Sequence, residues 1–233
     1  MKIDLIFSAT DIKREEVKNK AVVVIDTLRA TSTIITALAQ GCSKVIPVAE
    51  IKEARKLSKN LKKDCLLAGE RQGIKIDGFD LGNSPRDYTA KKVAGKVIVL
   101  TTTNGTQCFK RLIETEEILV ASLLNVEQVS ARLESKKEVV FCCAGVAGQF
   151  ALDDFITAGK IIAELVAESE VSLSDRALVA YQTYLQNKNG LRSILKRSQS
   201  GRNLISLGKE GDIDYIVEHQ KDYLPYYENG EIK

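Results

Sequence analysis

The chain has 233 residues, 44% hydrophobic and 28% charged, which suits one sizeable buried core and is ordinary for a globular protein. Its 34 basic and 31 acidic residues nearly cancel and are spread along the chain, which argues against nucleic acid as a partner. No apolar run approaches the ~18 residues a membrane crossing needs, and the N-terminal MKIDLIFSATDIKREE carries Asp4 inside its apolar run, so it makes a poor signal peptide and a cytoplasmic protein is expected.

In chain order, short Val- and Ile-rich runs predict strands at 3–7 (IDLIF), 21–25 (AVVVI), 44–48 (KVIPV), 65–69 (CLLAG), 96–100 (KVIVL), 117–121 (EILVA) and 138–143 (EVVFCC). Helically spaced stretches lie between several of them: ATSTIITALAQG, with Gly41 where a C-cap belongs, then EIKEARKLSKNL, GTQCFKRLIE and VEQVSARLES. Alternation of this kind, with near-continuous apolar strands, predicts an α/β fold: a mainly parallel sheet with helices on both faces. GERQGIKIDGFDLGNSPRDY (69–88) reads as one long, Gly-rich loop, a length that usually carries function. Beyond about residue 149 the pattern is helical only, giving an all-helical C-terminal part. No linker composition marks a boundary, so a single domain over 1–233 is expected, with a division into subdomains of about 1–90 and 91–233 left open.

The five cysteines, Cys42, Cys65, Cys108, Cys142 and Cys143, are odd in number and form no CxxC pair, so reduced, mostly buried thiols are expected. The single histidine, His219, lies near the C-terminus. Histidine-rich metal sites and a Ser-His-Asp arrangement are therefore disfavoured, and acid–base chemistry falls to Asp, Glu, Lys, Cys or Tyr. Cys65 and Arg71 have the C-x5-R spacing of cysteine-dependent phosphatases, but the intervening LLAGE is strand-like and puts Glu70 against the anion. Neither G-x-G-x-x-G nor a Walker motif occurs.

One stretch concentrates the chemistry. VVVIDTLRATSTI (22–34) runs from a buried strand into Asp26, Thr27, Arg29, Thr31, Ser32 and Thr33. It aligns without a gap on VIVLTTTNGTQ (97–107), with Ala30 facing Gly105, and CCAGVAGQ (142–149) makes a third turn of the same kind. One hydroxyl-rich turn is an ordinary helix N-cap. Three, at strand ends that face one crevice of an open parallel sheet, point to a bound anion, phosphate above all. Asp26, Glu70 and Asp154 each follow a predicted strand, directly or one short turn beyond. Three hard oxygen ligands without histidine suit Mg²⁺.

Four blocks in one order, VVVIDTLRATSTI, GERQGIKIDGFDLGNSP, TTTNGT and CAGVAGQFALDDFITAG, together with the later SQSGRNLISLG, resemble the 2-phosphosulfolactate phosphatase family. The resemblance implies a Mg²⁺-dependent phosphatase converting phosphosulfolactate to sulfolactate and phosphate, a step that belongs to coenzyme M synthesis in some organisms. One departure is Asp153-Asp154 where the resemblance leads one to expect Glu-Asp, which places the weight on Asp154. A substrate with a phosphate, a carboxylate and a sulfonate needs many donors. Arg29 and Arg71 can fork onto oxyanions. Thr31, Ser32, Thr101, Thr102, Thr103, Asn104, Gly105, Thr106 and Gly145 offer hydroxyls and helix-start amides. Asp26, Arg29 and Arg71 are the expected catalytic residues. Asp26, Glu70 and Asp154 are the expected Mg²⁺ ligands, with Asp26 also the nucleophile if a phosphoenzyme forms; a metal-activated water is the other route. Arg202, in the basic stretch 187–210, either closes over the substrate or belongs to a basic surface. Two alternatives stand beside this reading: a phosphatase for another small phospho-acid, and a non-catalytic protein binding an anionic metabolite. Leu178, Tyr181 and Leu185 read as core, and a homodimer is left open.

Overall fold

The computed structural model describes residues 1–61 and 64–233. All seven apolar runs are strands: β1 (Lys2–Ile6), β2 (Ala21–Ile25), β3 (Lys44–Pro47), β4 (Cys65–Arg71), β6 (Val97–Thr101), β7 (Glu117–Ala121) and β8 (Glu138–Cys143), with short strands β5 (Ile74–Lys75), β9 (Ser172–Leu173), β10 (Tyr227–Glu228) and β11 (Glu231–Ile232). The helices are α1 (Arg14–Val17), α2 (Ala30–Ala39), α3 (Ile51–Leu61), α4 (Ala90–Val93), α5 (Gly105–Arg111), α6 (Val126–Leu133), α7 (Leu152–Glu168), α8 (Asp175–Asn187), α9 (Leu191–Arg197), α10 (Gln199–Ser206) and α11 (Glu210–Glu218). α2 ends as its sequence requires: Gly41 takes φ 86°, its N–H donates to Leu38 O, and the Cys42 N–H reaches back to Ala37 O.

The strands form two sheets rather than the one expected. The first, in the order β7-β2-β8-β1-β9, is wholly parallel. The second, β10-β11-β3-β6-β4-β5, is parallel at β3, β6 and β4 and antiparallel at both flanks. The chain passes from one sheet to the other after β2, β6 and β9. Side-chain alternation explains how both are covered. Val22 and Val24 of β2 face a core shared with Val45, Ile98 and Leu100 of the second sheet and with Ile34 and Leu38 of α2. Ala21, Val23 and Ile25 face the other way, onto Val129 of α6 and Phe155, Ile161 and Ile162 of α7. Val99 of β6 turns outward to Ala54 of α3. Helices thus line both faces of each sheet, with α2 between the two.

The C-terminal part is mostly but not wholly helical. β9 pairs with β1, and the β10–β11 hairpin adds to β3. Strands of two residues carry no readable periodicity; their ladders exist because a longer strand offers a free edge. The expected loop at 69–88 is also shorter. β4 continues through Glu70 and Arg71 and turns at Gln72 and Gly73, both at positive φ, into β5. That is the two-residue hairpin geometry favoured by strand twist. Of the three residues read as core, Tyr181 packs against the core, Leu185 is half-buried and Leu178 is exposed. No helix among the described residues is long and apolar enough to cross a membrane.

Candidate active site

Parallel register sets the carboxyl ends of the strands at one level. Ile25 pairs with Ala121 and Cys143 in the first sheet, and Gly69 with Thr101 in the second. The two turns that echo each other in sequence meet in space. A Cβ at Gly105 would lie 2.6 Å from Asp26 Oδ2 and 2.7 Å from the Ala30 Cβ, so glycine is what lets the second turn close on the first.

At the first sheet's rim, hydroxyls fold the turn onto itself. Thr31 Oγ1 donates to Asp26 O and accepts the Asp26 N–H, while Ser32 Oγ donates to Thr27 O. Asp26 Oδ1 accepts the Ala30 N–H at 3.0 Å, capping α2 from the strand end. Its Oδ2 makes no hydrogen bond among the described residues. Asp154, in the first turn of α7, takes the Thr27 N–H on Oδ1 at 2.8 Å and the Gly145 N–H on Oδ2 at 3.1 Å. It clamps the β2 and β8 exits together. Its neighbour Asp153 is equally buried, and Asp153 Oδ1 has no partner.

At the second sheet's rim the charges are spent on backbone. Glu70 Oε1 accepts the Thr103 N–H at 2.8 Å, Oε2 accepts the Gly73 N–H at 2.7 Å, and Thr103 Oγ1 donates to both. Arg71 donates to Glu70 O, Ala49 O and Thr101 Oγ1, which in turn donates to Ala49 O. Thr102 and Thr106 bond each other at the start of α5. Asn104 Oδ1 accepts the Ala147 N–H at 3.1 Å, which joins the second rim to the β8 exit and leaves its NH₂ as a donor.

Between the rims lies a cleft of ≈ 550 Å³. Asp26, Arg29, Glu70, Thr103 and Asn104 line it, as expected; Arg71 and Arg202 stand outside. Arg71 is held by the backbone contacts above, and Arg202 is exposed, donating to Arg197 O. Thr31, Ser32, Thr101, Thr102 and Thr106 are buried in the turns that shape the cleft and do not line it. Residues that the sequence reading passed over complete the wall: Gln72 and Asn83 from the hairpin and the loop after it, and Gln199, Ser200 and Asn203 from α10. The first two sat in the quoted 69–88 stretch and the others in SQSGRNLISLG, so the segments were visible and the individual side chains were not. The α9–α11 unit reaches the cleft because Leu195, Leu204, Ile213 and Ile216 pack on Leu123 just past β7. It also supplies Asp212, which no motif announced: buried, it pairs with Arg29 Nη1 at 2.7 Å.

Burial and mutual repulsion set the acids' charge state. Burial, with Asp153 and Glu70 nearby, pushes the Asp26 carboxyl up to about 7. Burial likewise raises Asp153, to about 6, against hydrogen bonding from Ser200 and Ser198. Asp154 is driven up by burial, then by Asp153 and Asp26, against its two backbone donors. Arg29, the cation lining the cleft, already has a carboxylate partner. Such crowding calls for a cation or protons. Among the described residues, no three His, Cys, Asp or Glu side chains are arranged to hold a metal ion. Two unpaired carboxylate oxygens, on Asp26 and Asp153, are present, and Mg²⁺ needs no more, since it binds through one or two carboxylates plus water and substrate oxygens.

Fold and site together define an α/β protein with an acid-walled cleft where the carboxyl ends of two sets of parallel strands converge. Comparison with known proteins gives the family. The family model described as 2-phosphosulpholactate phosphatase matches residues 6–230. The chain is 45% identical to a probable 2-phosphosulfolactate phosphatase of Clostridium tetani and 44% to one of Clostridium acetobutylicum, each over the full length of both chains. A Clostridium novyi relative of the same description is 44% identical over 92% of each chain. The chain belongs to the 2-phosphosulpholactate phosphatase family.

Proposed function

We propose that the protein is a Mg²⁺-dependent phosphoric monoester hydrolase that converts 2-phosphosulfolactate to sulfolactate and inorganic phosphate. The observation that carries this is a pair of unpaired carboxylate oxygens in a crowd of acids, Asp26 Oδ2 on a residue that lines the cleft and the buried Asp153 Oδ1 close to it. Asp26 and Asp153 would hold the ion, a revision of the set Asp26, Glu70 and Asp154, because Glu70 and Asp154 spend both oxygens on backbone amides. When bound, Mg²⁺ supplies charge neutralisation for the phosphoryl group and the carboxylates facing it.

The remaining work belongs to the chain's own residues. Glu70 and Asp154 fix the turns, so that Thr103, Asn104 and Arg29 keep their places without reorganising during reaction. The Asn104 NH₂ and the free guanidinium donors of Arg29 are available to oxyanion oxygens. In hydrolysis a water oxygen bonds to phosphorus, the ester P–O bond breaks, and the departing alkoxide takes a proton to become the hydroxyl of sulfolactate. Positioning and electrostatic relief are most of what this chemistry asks of a protein.

The test is phosphate release from 2-phosphosulfolactate by purified protein, with Mg²⁺ and after EDTA. Turnover that needs Mg²⁺ and is lost in Asp26→Asn is the expected result. Turnover undiminished by chelation removes the metal; tight binding without any phosphate release makes the protein a metabolite binder instead.

A further inference from the structure

We propose that Asn83 and Arg29 form a subsite for the substrate's second, non-reacting oxyanion, with Asp212 as the residue that positions both. The inference rests on the phosphatase reading above and deepens it.

Asn83 is only 5% exposed and lines the cleft, yet its side-chain Oδ1 has no hydrogen-bond partner. Its main chain is fixed, the carbonyl accepting from Thr33 Oγ1 at 2.9 Å, so the side chain is held at the cleft wall rather than swinging free. Oδ1 is an acceptor that an oxyanion cannot satisfy, but the Asn83 NH₂ likewise has no partner among the described residues. The amide can therefore turn over and put a donor in that position, where a ligand oxygen pairs it and removes the cost of leaving it unmade. Arg29 shares this wall. Two of its five donors are engaged, Nη1 with Asp212 Oδ2 and Nη2 with Gly73 O at 3.0 Å, and the rest are available to a ligand.

Asp212 ties the pair together. Its Oδ1 accepts from Ser84 Oγ at 2.6 Å while Oδ2 holds Arg29, and Ser84 follows Asn83 directly. One carboxylate from α11 therefore sets both the guanidinium and the turn that carries the amide.

Charge decides which part of a ligand belongs here. Asp26 lines the same cleft and has the buried Asp153 close by, and the two repel any acid group not bridged by a cation. A phosphorylated acid has an oxyanion left over after its phosphoryl group is placed there. Arg29 is the cation lining the cleft among the described residues. Because Asp212 offsets its charge, a neutral amide beside it adds a donor without adding another cation to bury. By rotation about its Cβ–Cγ bond, Asn83 presents its NH₂ to an oxyanion oxygen. Carboxylate and sulfonate oxygens both fit that description.

The experiment measures kcat and KM of wild type, Asn83→Asp, Asn83→Ala and Asp212→Asn with Mg²⁺ on three esters. These are 2-phosphosulfolactate, 2-phospholactate (carboxylate only) and the phosphate ester of 2-hydroxyethanesulfonate (sulfonate only). Asn83→Asp is expected to raise KM about 10- to 100-fold on the esters carrying the oxyanion that the subsite reads, the size of a lost hydrogen bond to a charged group. The KM advantage of those esters over the one lacking that group collapses, which also says whether the subsite reads carboxylate or sulfonate. Asn83→Ala shows the same pattern more weakly and covers a failure of Asn83→Asp to fold. Asp212→Asn shows it too, with Asp212→Glu recovering part. Equal losses on all three esters, or a loss in kcat with KM unchanged, overturn the proposal. If wild type hydrolyses none of the three, the phosphatase reading fails, and calorimetry of sulfolactate binding then tests the subsite by itself. Weaker binding to Asn83→Asp than to wild type supports it; equal affinity, or binding to neither, overturns it.

Discussion

The two sheet rims hold similar residues and use them oppositely. At the second rim, Glu70 and Arg71 are adjacent opposite charges at a cleft, and both are consumed by backbone: Glu70 by the Thr103 and Gly73 amides, Arg71 by three oxygens around Ala49. At the first rim, Asp26 and Asp153 each keep an oxygen unpaired although burial makes their charge costly. A buried charge with all its hydrogen bonds made is a brace; one left unmade is available to a ligand. Asp154 shows that the distinction is not one of position, since it neighbours Asp153 on the same helix turn and is fully used as a clamp.

The sharpest way to break this comparison is to neutralise one acid of each kind. Asp26→Asn and Asp153→Asn are expected to lower kcat by about 10³-fold, since each removes a charge aimed at the reacting group. Above neutral pH and without metal, both variants should melt higher than wild type, because a repelling buried charge is gone. Loss of activity together with loss of stability would class these residues as braces after all.

Metal and pH give the next effect in size. Asp26 titrates from 3.8 in the unfolded chain up to about 7 in the folded one. Between those values the folded metal-free protein holds a proton that the unfolded chain has released, so stability falls as pH rises through that window. Below 3.8 both states are protonated, and above about 7 both are charged, so this slope vanishes at either end. Mg²⁺ competes with the proton and should raise Tm by about 5–10 °C at a hundredfold excess over its Kd. At one fixed Mg²⁺ concentration the increment should be larger above neutrality than at mildly acidic pH, where the proton weakens the ion's affinity. A Tm gain independent of pH would mean that the ion binds away from these carboxylates.

How much of this was legible follows from the same contrast. The seven long strands could be read because a strand covered on both faces must be apolar nearly throughout, and Asp26 stood out because it ends such a run. That the strands divide between two sheets could not be read: each strand of a parallel sheet carries the same pattern, and partner choice is made by long-range packing such as α2 between Val24 and Ile98. Nor could sequence separate Asp153 from Asp154, since which of two adjacent acids meets the Thr27 and Gly145 amides depends on helix phase relative to turns 127 and 9 residues from Asp154. Asn83 and Asp212 carry no local signal, because their meaning lies in what they do or do not touch across the fold.

Within the second rim, Glu70→Gln sharpens the brace assignment. Glutamine keeps one acceptor oxygen and turns an NH₂ toward either the Thr103 or the Gly73 N–H, so donor meets donor in a part-buried place. A loss of about 1–3 kcal/mol in urea unfolding is expected, with kcat falling less than in Asp26→Asn because no cleft oxygen of the Asp26–Asp153 pair is touched. A kcat loss matching that of Asp26→Asn with stability unchanged would move Glu70 from brace to ligand.

The smallest effect is expected at Arg202, the cation that the sequence offers as a closing residue. It sits on the exposed side of α10 and donates to Arg197 O, while Asn203 and Leu204 on the same helix turn line the cleft. Its charge is therefore screened by solvent from the acids across the cleft, and Arg202→Ala should leave stability within about 0.5 kcal/mol and KM within about two-fold of wild type. A rise in KM of tenfold or more would require α10 to turn or shift in the substrate complex so that this face meets the ligand. That outcome would redraw the comparison, since the α9–α11 unit would then be a moving third wall and not a fixed partner of the first rim.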